Sequence, residues 1–200
     1  MTRAKRLVDV VLVVVAAVPA AIVVAGCVVA ARLSGTGGNL LRSERAGLGG
    51  KPFHVWKIRS TTVDGRVTSI GRLLRRSGLD ELPQLWNVAR GEMSVVGPRP
   101  LTPELVDRYS PAQRRRLDVR PGLTGWAQVQ RRSVRSWPES FELDVWYVDH
   151  TSLMLDARIL VSTVAALVRR RREPSHDHAD LPEFLGEHEP PPVSRSPGGG

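Results

Sequence analysis

Cysteine is all but missing from this chain. Cys27 is alone among 200 residues, so no internal disulfide and no cysteine zinc cluster can form, which suits a reducing compartment. No internal repeat is visible, and 200 residues suffice for one domain with its own core but not comfortably for two. Acidic residues are scarce where basic ones abound. Six of the 20 acidic residues fall in 173–200 beside a single basic one, Arg195, so the first 172 residues carry a balance of +14 against +9 overall. That excess calls for an anionic partner: a phosphorylated ligand, an acidic lipid surface or nucleic acid. Nothing resembles a nucleic-acid-binding module, so nucleic acid is not an expected partner.

Charge is also missing from Val10 to Ala31, 22 positions dominated by valine and alanine. A helix of about 20 apolar residues is long enough to cross a bilayer core. Pro19 removes a helix hydrogen bond and turns Val18 away from the α region, which predicts a bend. Arg3, Lys5 and Arg6 precede the run, and Arg32, Arg42, Arg45 and Lys51 follow it. By the positive-inside rule both ends read as cytoplasmic, which a re-entrant helix satisfies and a straight span does not. Two rival readings stand beside it. One is an ordinary spanning helix kinked by its proline. The other is a signal segment ending at Val24-Ala25-Gly26-Cys27, in the manner of a lipoprotein cleavage site.

Beyond the apolar run, residues 35–50 are glycine-rich and read as a loop. Phe53 to Arg59 alternates as a short strand, which puts Lys57 and Arg59 on one face. Met93 to Val96 and Thr124 to Val129 read as further strands. Thr102-Pro103-Glu104 and Trp137-Pro138-Glu139 begin helices, with a break at Ser110-Pro111 between them. Asp144, three residues before Tyr147, is placed to orient an arginine. Leu155 to Arg172 reads as an amphipathic helix lying in a membrane interface, with its terminal arginines on anionic lipid. From Glu173 onward the composition predicts disorder, and nothing supports a metal site at His176-Asp177-His178. The domain reading is 1–34 membrane-inserted, 35–172 catalytic and 173–200 a disordered acidic, Pro/Gly-rich tail. The fold class is α+β, mainly helical, with small strands and interfacial helices around one compact cytosolic body.

The chemistry concentrates between residues 70 and 100. Asp80 and Glu81 are adjacent carboxylates among Arg75, Arg76 and Arg99, and Arg99 sits on a stiff Gly97-Pro98-Arg99-Pro100 turn. Ser77 can cap a helix whose first turn holds Asp80 and Glu81. The free N–H groups of that turn, with Arg75 and Arg76, would keep Asp80 ionised, as a nucleophile or metal ligand requires. By spacing alone a simple capping box, with Asp80 serving backbone donors, is the stronger reading.

Taken together, the motifs change that balance. The chain resembles the bacterial sugar transferases of the monotopic phosphoglycosyl transferase family. The residues that carry the likeness are Lys5-Arg6-Leu7-Val8-Asp9, Arg45-x-Gly47, Lys57-Ile58-Arg59-Ser60, Leu79-Asp80-Glu81-Leu82-Pro83-Gln84-Leu85-x-Asn87-Val88, Met93 through Pro100, Arg120 through Gln128, and Asp144-x-x-Tyr147. They run in order over about residues 3 to 168. The resemblance implies a re-entrant membrane helix and a two-step, Mg²⁺-dependent transfer of a phosphosugar from a UDP-sugar to polyprenyl phosphate. It implies Asp80 as nucleophile, Glu81 as its catalytic partner and Mg²⁺ ligand, and Lys57, Arg59, Arg75 and Arg99 as phosphate-binding cations. Location at the cytoplasmic face of the plasma membrane follows, with membrane lipid as partner and self-association allowed. The chain departs from the family at Val18-Pro19, where Ser-Pro is usual, and at Gly37-Gly38, Ser43 and Thr61. The alternative is a membrane-anchored basic binding protein without catalysis, whose ligand affinity would be indifferent to Asp80.

Overall fold

The computed structural model describes residues 2–36, 40–130 and 136–170. The fold is mostly helical with two small sheets, and its first element is the apolar run. Helix α1 spans Arg3–Leu33 and passes through Pro19; Thr2 caps it by accepting from the Lys5 N–H at 3.3 Å. Straight, its 31 residues would measure about 46 Å. One face packs on the rest of the protein at both ends. Near the start Lys5, Asp9 and Val13 are buried; near the end Val24, Cys27, Val28 and Ala31 pack with Ile58, Ile70, Leu74 and Leu79. The opposite face is an exposed apolar stripe: Leu7, Val11, Val14, Val18, Ile22 and Leu33 recur at helical spacing.

The polar residues at the start of α1 are fasteners. Lys5 donates to Asp156 Oδ2 at 2.6 Å and to the Tyr147 hydroxyl at 3.2 Å. Arg6 donates to the Val88 and Ala89 carbonyls at 2.6 and 2.8 Å, at the C-terminal end of helix α3 (Leu85–Arg90). Asp9 Oδ1 accepts from Ser94 Oγ at 3.1 Å and Val95 N–H at 3.0 Å. Two of the three basic residues that precede the apolar run are thus bound by the protein itself. Lys5 is only 5% exposed and Arg6 caps a helix.

Strands β1 (Leu40–Ala46) and β2 (Pro52–Ile58) pair antiparallel, from Leu40 opposite Ile58 to Ala46 opposite Pro52. Residues predicted to be loop thus form a strand. The glycines flank it, and its alternation of Leu41, Ser43 and Arg45 is too weakly apolar to read without its partner. Side chains alternate across a strand, so Arg45 and Lys57 emerge on the same face of this hairpin. Strands β3 (Ser94–Val96) and β4 (Gly122–Thr124) pair in parallel. The strand predicted over 124–129 is corrected too. After Thr124 the chain turns into the short helix Trp126–Val129.

The remaining helices begin where their caps predict. α4 (Pro103–Val106) follows Thr102, and α5 (Pro111–Arg114) has a full Ser110/Gln113 capping box. α7 (Trp137–Asp149) is capped by Ser136, and α8 spans Leu153–Arg170. On α8, Asp156 and Ile159 face inward while Met154, Val161, Val164 and Val168 are exposed. The acidic tail, its His176-Asp177-His178 and the side chains of the terminal arginines lie outside the described residues.

Candidate active site

α2 (Ser69–Ser77) is capped by Thr68 and ends at Gly78, whose positive φ reverses the chain. Ser77 is thus the last residue of a helix. Its hydroxyl donates back to the Leu73 and Leu74 carbonyls, so the predicted Ser77 cap on the following helix does not form. Leu79–Gln84 instead makes 3₁₀ turns that run into α3, with Pro83 accommodated among them. This tighter winding places Asp80 at 9% exposure and Glu81 towards β2 and the Arg99 turn.

Glu81 is the hub. Lys57 Nζ donates to its Oε1 at 2.8 Å, and Arg99 donates to Oε1 at 2.7 Å and Oε2 at 3.3 Å. Burial alone would raise its pKa, but the Arg99 and Lys57 charges and their hydrogen bonds outweigh that and hold it down at about 2. Asp80 moves the other way. Burial and the Glu81 charge push its carboxyl up, opposed by Lys57 and Arg99. The expectation that a helix N-terminus with Arg75 and Arg76 would stabilise its anion is corrected. Arg75 is turned aside, its Nε donating to Ser60 Oγ at 2.7 Å.

A cleft of about 110 Å³ opens beside these residues, lined by Arg45, Lys57, Glu81, Gln84, Arg99 and Thr102, with Val55, Leu101 and Leu105. Of the sequence-predicted residues, Lys57, Glu81 and Arg99 are brought into contact, and Asp80 shares their electrostatic field. Asp80, Arg59 and Arg75 are not in the cleft lining; the buried Nε of Arg59 has no hydrogen-bond partner among the described residues. Arg45 is the residue that sequence reasoning left out of the site. Burial and the nearby Arg99 charge press its guanidinium below the ordinary value, opposed by Glu104 and Glu81. Its signal was the strand phase shared with Lys57, visible only once β1 is recognised. Three cations around one bonded carboxylate give the cleft a chemistry suited to anionic oxygens.

The donor set also fits a divalent cation. Mg²⁺ is commonly held by one or two carboxylates together with substrate phosphates. Glu81 is the carboxylate placed for this: among the described residues its Oε2 accepts only the longer Arg99 bond, leaving acceptor capacity on that oxygen.

The profile of the family described as bacterial sugar transferase matches residues 1–170. The chain belongs to that family. Among curated relatives, an uncharacterized sugar transferase, EpsL of Bacillus subtilis, is 43% identical over 153 residues, covering 71% of this chain and 76% of the relative. The UDP-glucose:undecaprenyl-phosphate glucose-1-phosphate transferase of Caulobacter vibrioides is 41% identical over 162 residues, 70% of this chain and 60% of the relative. The Escherichia coli protein of the same name is 37% identical over 156 residues, which are 68% of this sugar transferase and only 34% of the relative. The present chain thus corresponds to part of the longer members of its family.

Proposed function

We propose that this family member transfers a sugar 1-phosphate from a UDP-sugar to polyprenyl phosphate, the first step in assembling a lipid-linked glycan. The observation that carries the reading is the Lys57–Glu81–Arg99 cluster beside the buried Asp80, within a cleft built for phosphate. The named activity of the Caulobacter and Escherichia relatives supports it.

In this reading an Asp80 carboxylate oxygen attacks the β-phosphorus of the UDP-sugar. The bond from that phosphorus to the bridging oxygen breaks, and UMP leaves with the oxygen. An aspartyl-phosphosugar remains on Asp80. A phosphate oxygen of polyprenyl phosphate then attacks the same phosphorus, which frees Asp80 and yields polyprenyl diphosphosugar. Burial and Glu81 make the Asp80 anion less comfortable, hence more nucleophilic. Lys57, Arg99 and Arg45 offset the charge that gathers on the transferred phosphoryl group and on departing UMP. Mg²⁺, held by Glu81, would supply further charge neutralisation at the phosphates. Arg59 and Arg75 belong at the margin of this site, where Ser60 links Arg75 to the end of β2.

The same reading covers the membrane. Both ends of α1 pack on one body, which favours a helix that enters and leaves a bilayer on the cytoplasmic side over one that crosses it. The exposed apolar stripes of α1 and α8 then meet lipid, and the domain limits follow as 1–34, 35–172 and 173–200. The test is release of UMP from UDP-sugars by the full chain with Mg²⁺ and polyprenyl phosphate. Asp80→Asn is expected to abolish both turnover and any radiolabelled protein intermediate. Turnover retained by that variant removes Asp80 as nucleophile.

A further inference from the structure

The turn that carries Arg99 is held along its main chain. The Gly97 N–H donates to the Thr124 carbonyl and the Gly122 N–H to the Pro98 carbonyl, each at 2.9 Å. A Cβ on Gly97 would stand 2.4 Å from the Arg120 carbonyl oxygen, and one on Gly122 2.1 Å from the Gly97 nitrogen, so neither side has slack. The last carbonyl, that of Arg99, accepts from the Arg116 guanidinium at 2.9 Å.

Arg116 ends a run of three arginines and differs from its neighbours. Arg114 and Arg115 are exposed, whereas Arg116 is 4% exposed. Its Nε and one terminal nitrogen donate to Asp144 Oδ2 at 3.1 and 2.6 Å, and the other terminal nitrogen donates to the Tyr109 hydroxyl at 2.7 Å. The guanidinium also lies over the Phe141 ring, 4.8 Å from its centre. A buried ion pair of this kind is often no more stabilising than apolar residues of the same volume. Stability alone leaves its presence unexplained. Its bond to the Arg99 carbonyl is what links it to the phosphate-facing turn.

We propose that Arg116, oriented by Asp144, is a positioning residue for Arg99. It fixes the carbonyl end of that residue, so that the side chain reaches Glu81 and the donor phosphates from one direction only. The proposal rests on the reading of Arg99 as a phosphate ligand. The test uses the full chain in lipid nanodiscs, with UDP as probe titrated calorimetrically in the presence of Mg²⁺ and thermal unfolding followed separately. Replacing the pair by apolar residues, Arg116→Met with Asp144→Leu, should leave the melting temperature unchanged or higher while weakening UDP binding about tenfold. Arg116→Lys keeps a charge beside Asp144 but lacks the fork that spans Asp144 and the Arg99 carbonyl, and should weaken UDP about fivefold. In an Arg99→Ala background both changes should cost nothing more, because the residue they position is gone. Arg115→Ala, which cuts the exposed Arg115–Asp149 pair on the same helices, should leave UDP affinity as it was.

Wild-type UDP affinity in the double replacement overturns the proposal, and so do losses that multiply with that of Arg99→Ala. Should the double replacement fail to fold, Arg116→Lys decides by the same criteria. If Arg99→Ala itself leaves UDP binding unchanged, the phosphate role of Arg99 falls and this inference falls with it. That outcome is distinct from multiplying losses, which would remove the positioning role alone.

Discussion

Two clusters of cation and carboxylate grip the same residue from opposite ends. Glu81 holds the Arg99 side chain, and the Arg116–Asp144 pair holds its carbonyl. They differ in access to water. The side chains of Lys57, Glu81 and Arg99 are 21–27% exposed, whereas those of Arg116 and Asp144 are 3–4% exposed. A half-open cluster can exchange partners when an anion arrives, since water and substrate can replace each lost bond. A sealed one cannot, because a lone charge left inside costs several kcal/mol. The molecule thus keeps its exchangeable contacts on side chains and its permanent ones on the main chain.

Mutations can break that comparison. The largest expected effect is Arg116→Ala, which should destabilise the fold by about 3–5 kcal/mol in urea unfolding, because Asp144 is left buried and unpaired. A loss below about 1 kcal/mol would mean that water already reaches the pair. Glu81→Gln should act mainly on turnover. It should fall roughly 10²-fold, about 3 kcal/mol on the barrier, with a smaller loss of stability than Arg116→Ala, because water replaces part of what Lys57 and Arg99 lose. Arg45→Ala is expected to act more mildly, raising the donor KM about tenfold while leaving kcat near that of the parent, as loss of one uniformly used phosphate contact does.

The smallest effect, and the one that sharpens the contrast, is with pH. The Glu81 pKa is depressed from 4.5 to about 2, so its contribution to stability is complete above pH 4.5 and is lost as pH falls towards 2. Asp144 has the opposite sign. Burial raises its pKa despite Arg116, so its contribution is complete below the unfolded value of 3.8 and is lost as pH rises through the folded value. Acid unfolding curves should therefore become shallower for Glu81→Gln and steeper for Asp144→Asn. Identical shifts in both variants would contradict the contrast.

Much of the scaffold was legible because its signals are local. Thr102-Pro103 and Trp137-Pro138 start helices where the caps and early prolines predict, the helix breaks and resumes at Ser110-Pro111, and the apolar run from Val10 is a helix. The resemblance, rather than the spacing, named Lys57 and Arg99 together with Asp80 and Glu81; Lys57 and Arg99 do meet Glu81, whereas Arg59 and Arg75, named with them, lie outside the cleft lining. What escaped depends on partners distant in sequence. Ser77 fits an N-cap by type and spacing, yet Gly78 ends the helix there and inverts its role. Leu40–Ala46 is a strand only because Pro52–Ile58 lies beside it. A run such as Arg114-Arg115-Arg116 looks uniformly solvated until Asp144, 28 residues on, draws one member inside.

Lys5 meets Asp156 across 151 positions of chain. At a synthesis rate of about 5–20 residues per second, α1 is finished roughly six to twenty-five seconds before Asp156, the partner of Lys5, is made. Asp9 meets Ser94 and Val95 well before then, but through that interval Lys5 is a charge at the head of an apolar helix whose fastening contact cannot yet form. The helix that closes this contact, α8, is thus the latch. An arrested or shortened chain that lacks it would leave Lys5 without Asp156 and the head of α1 held only by its earlier partners.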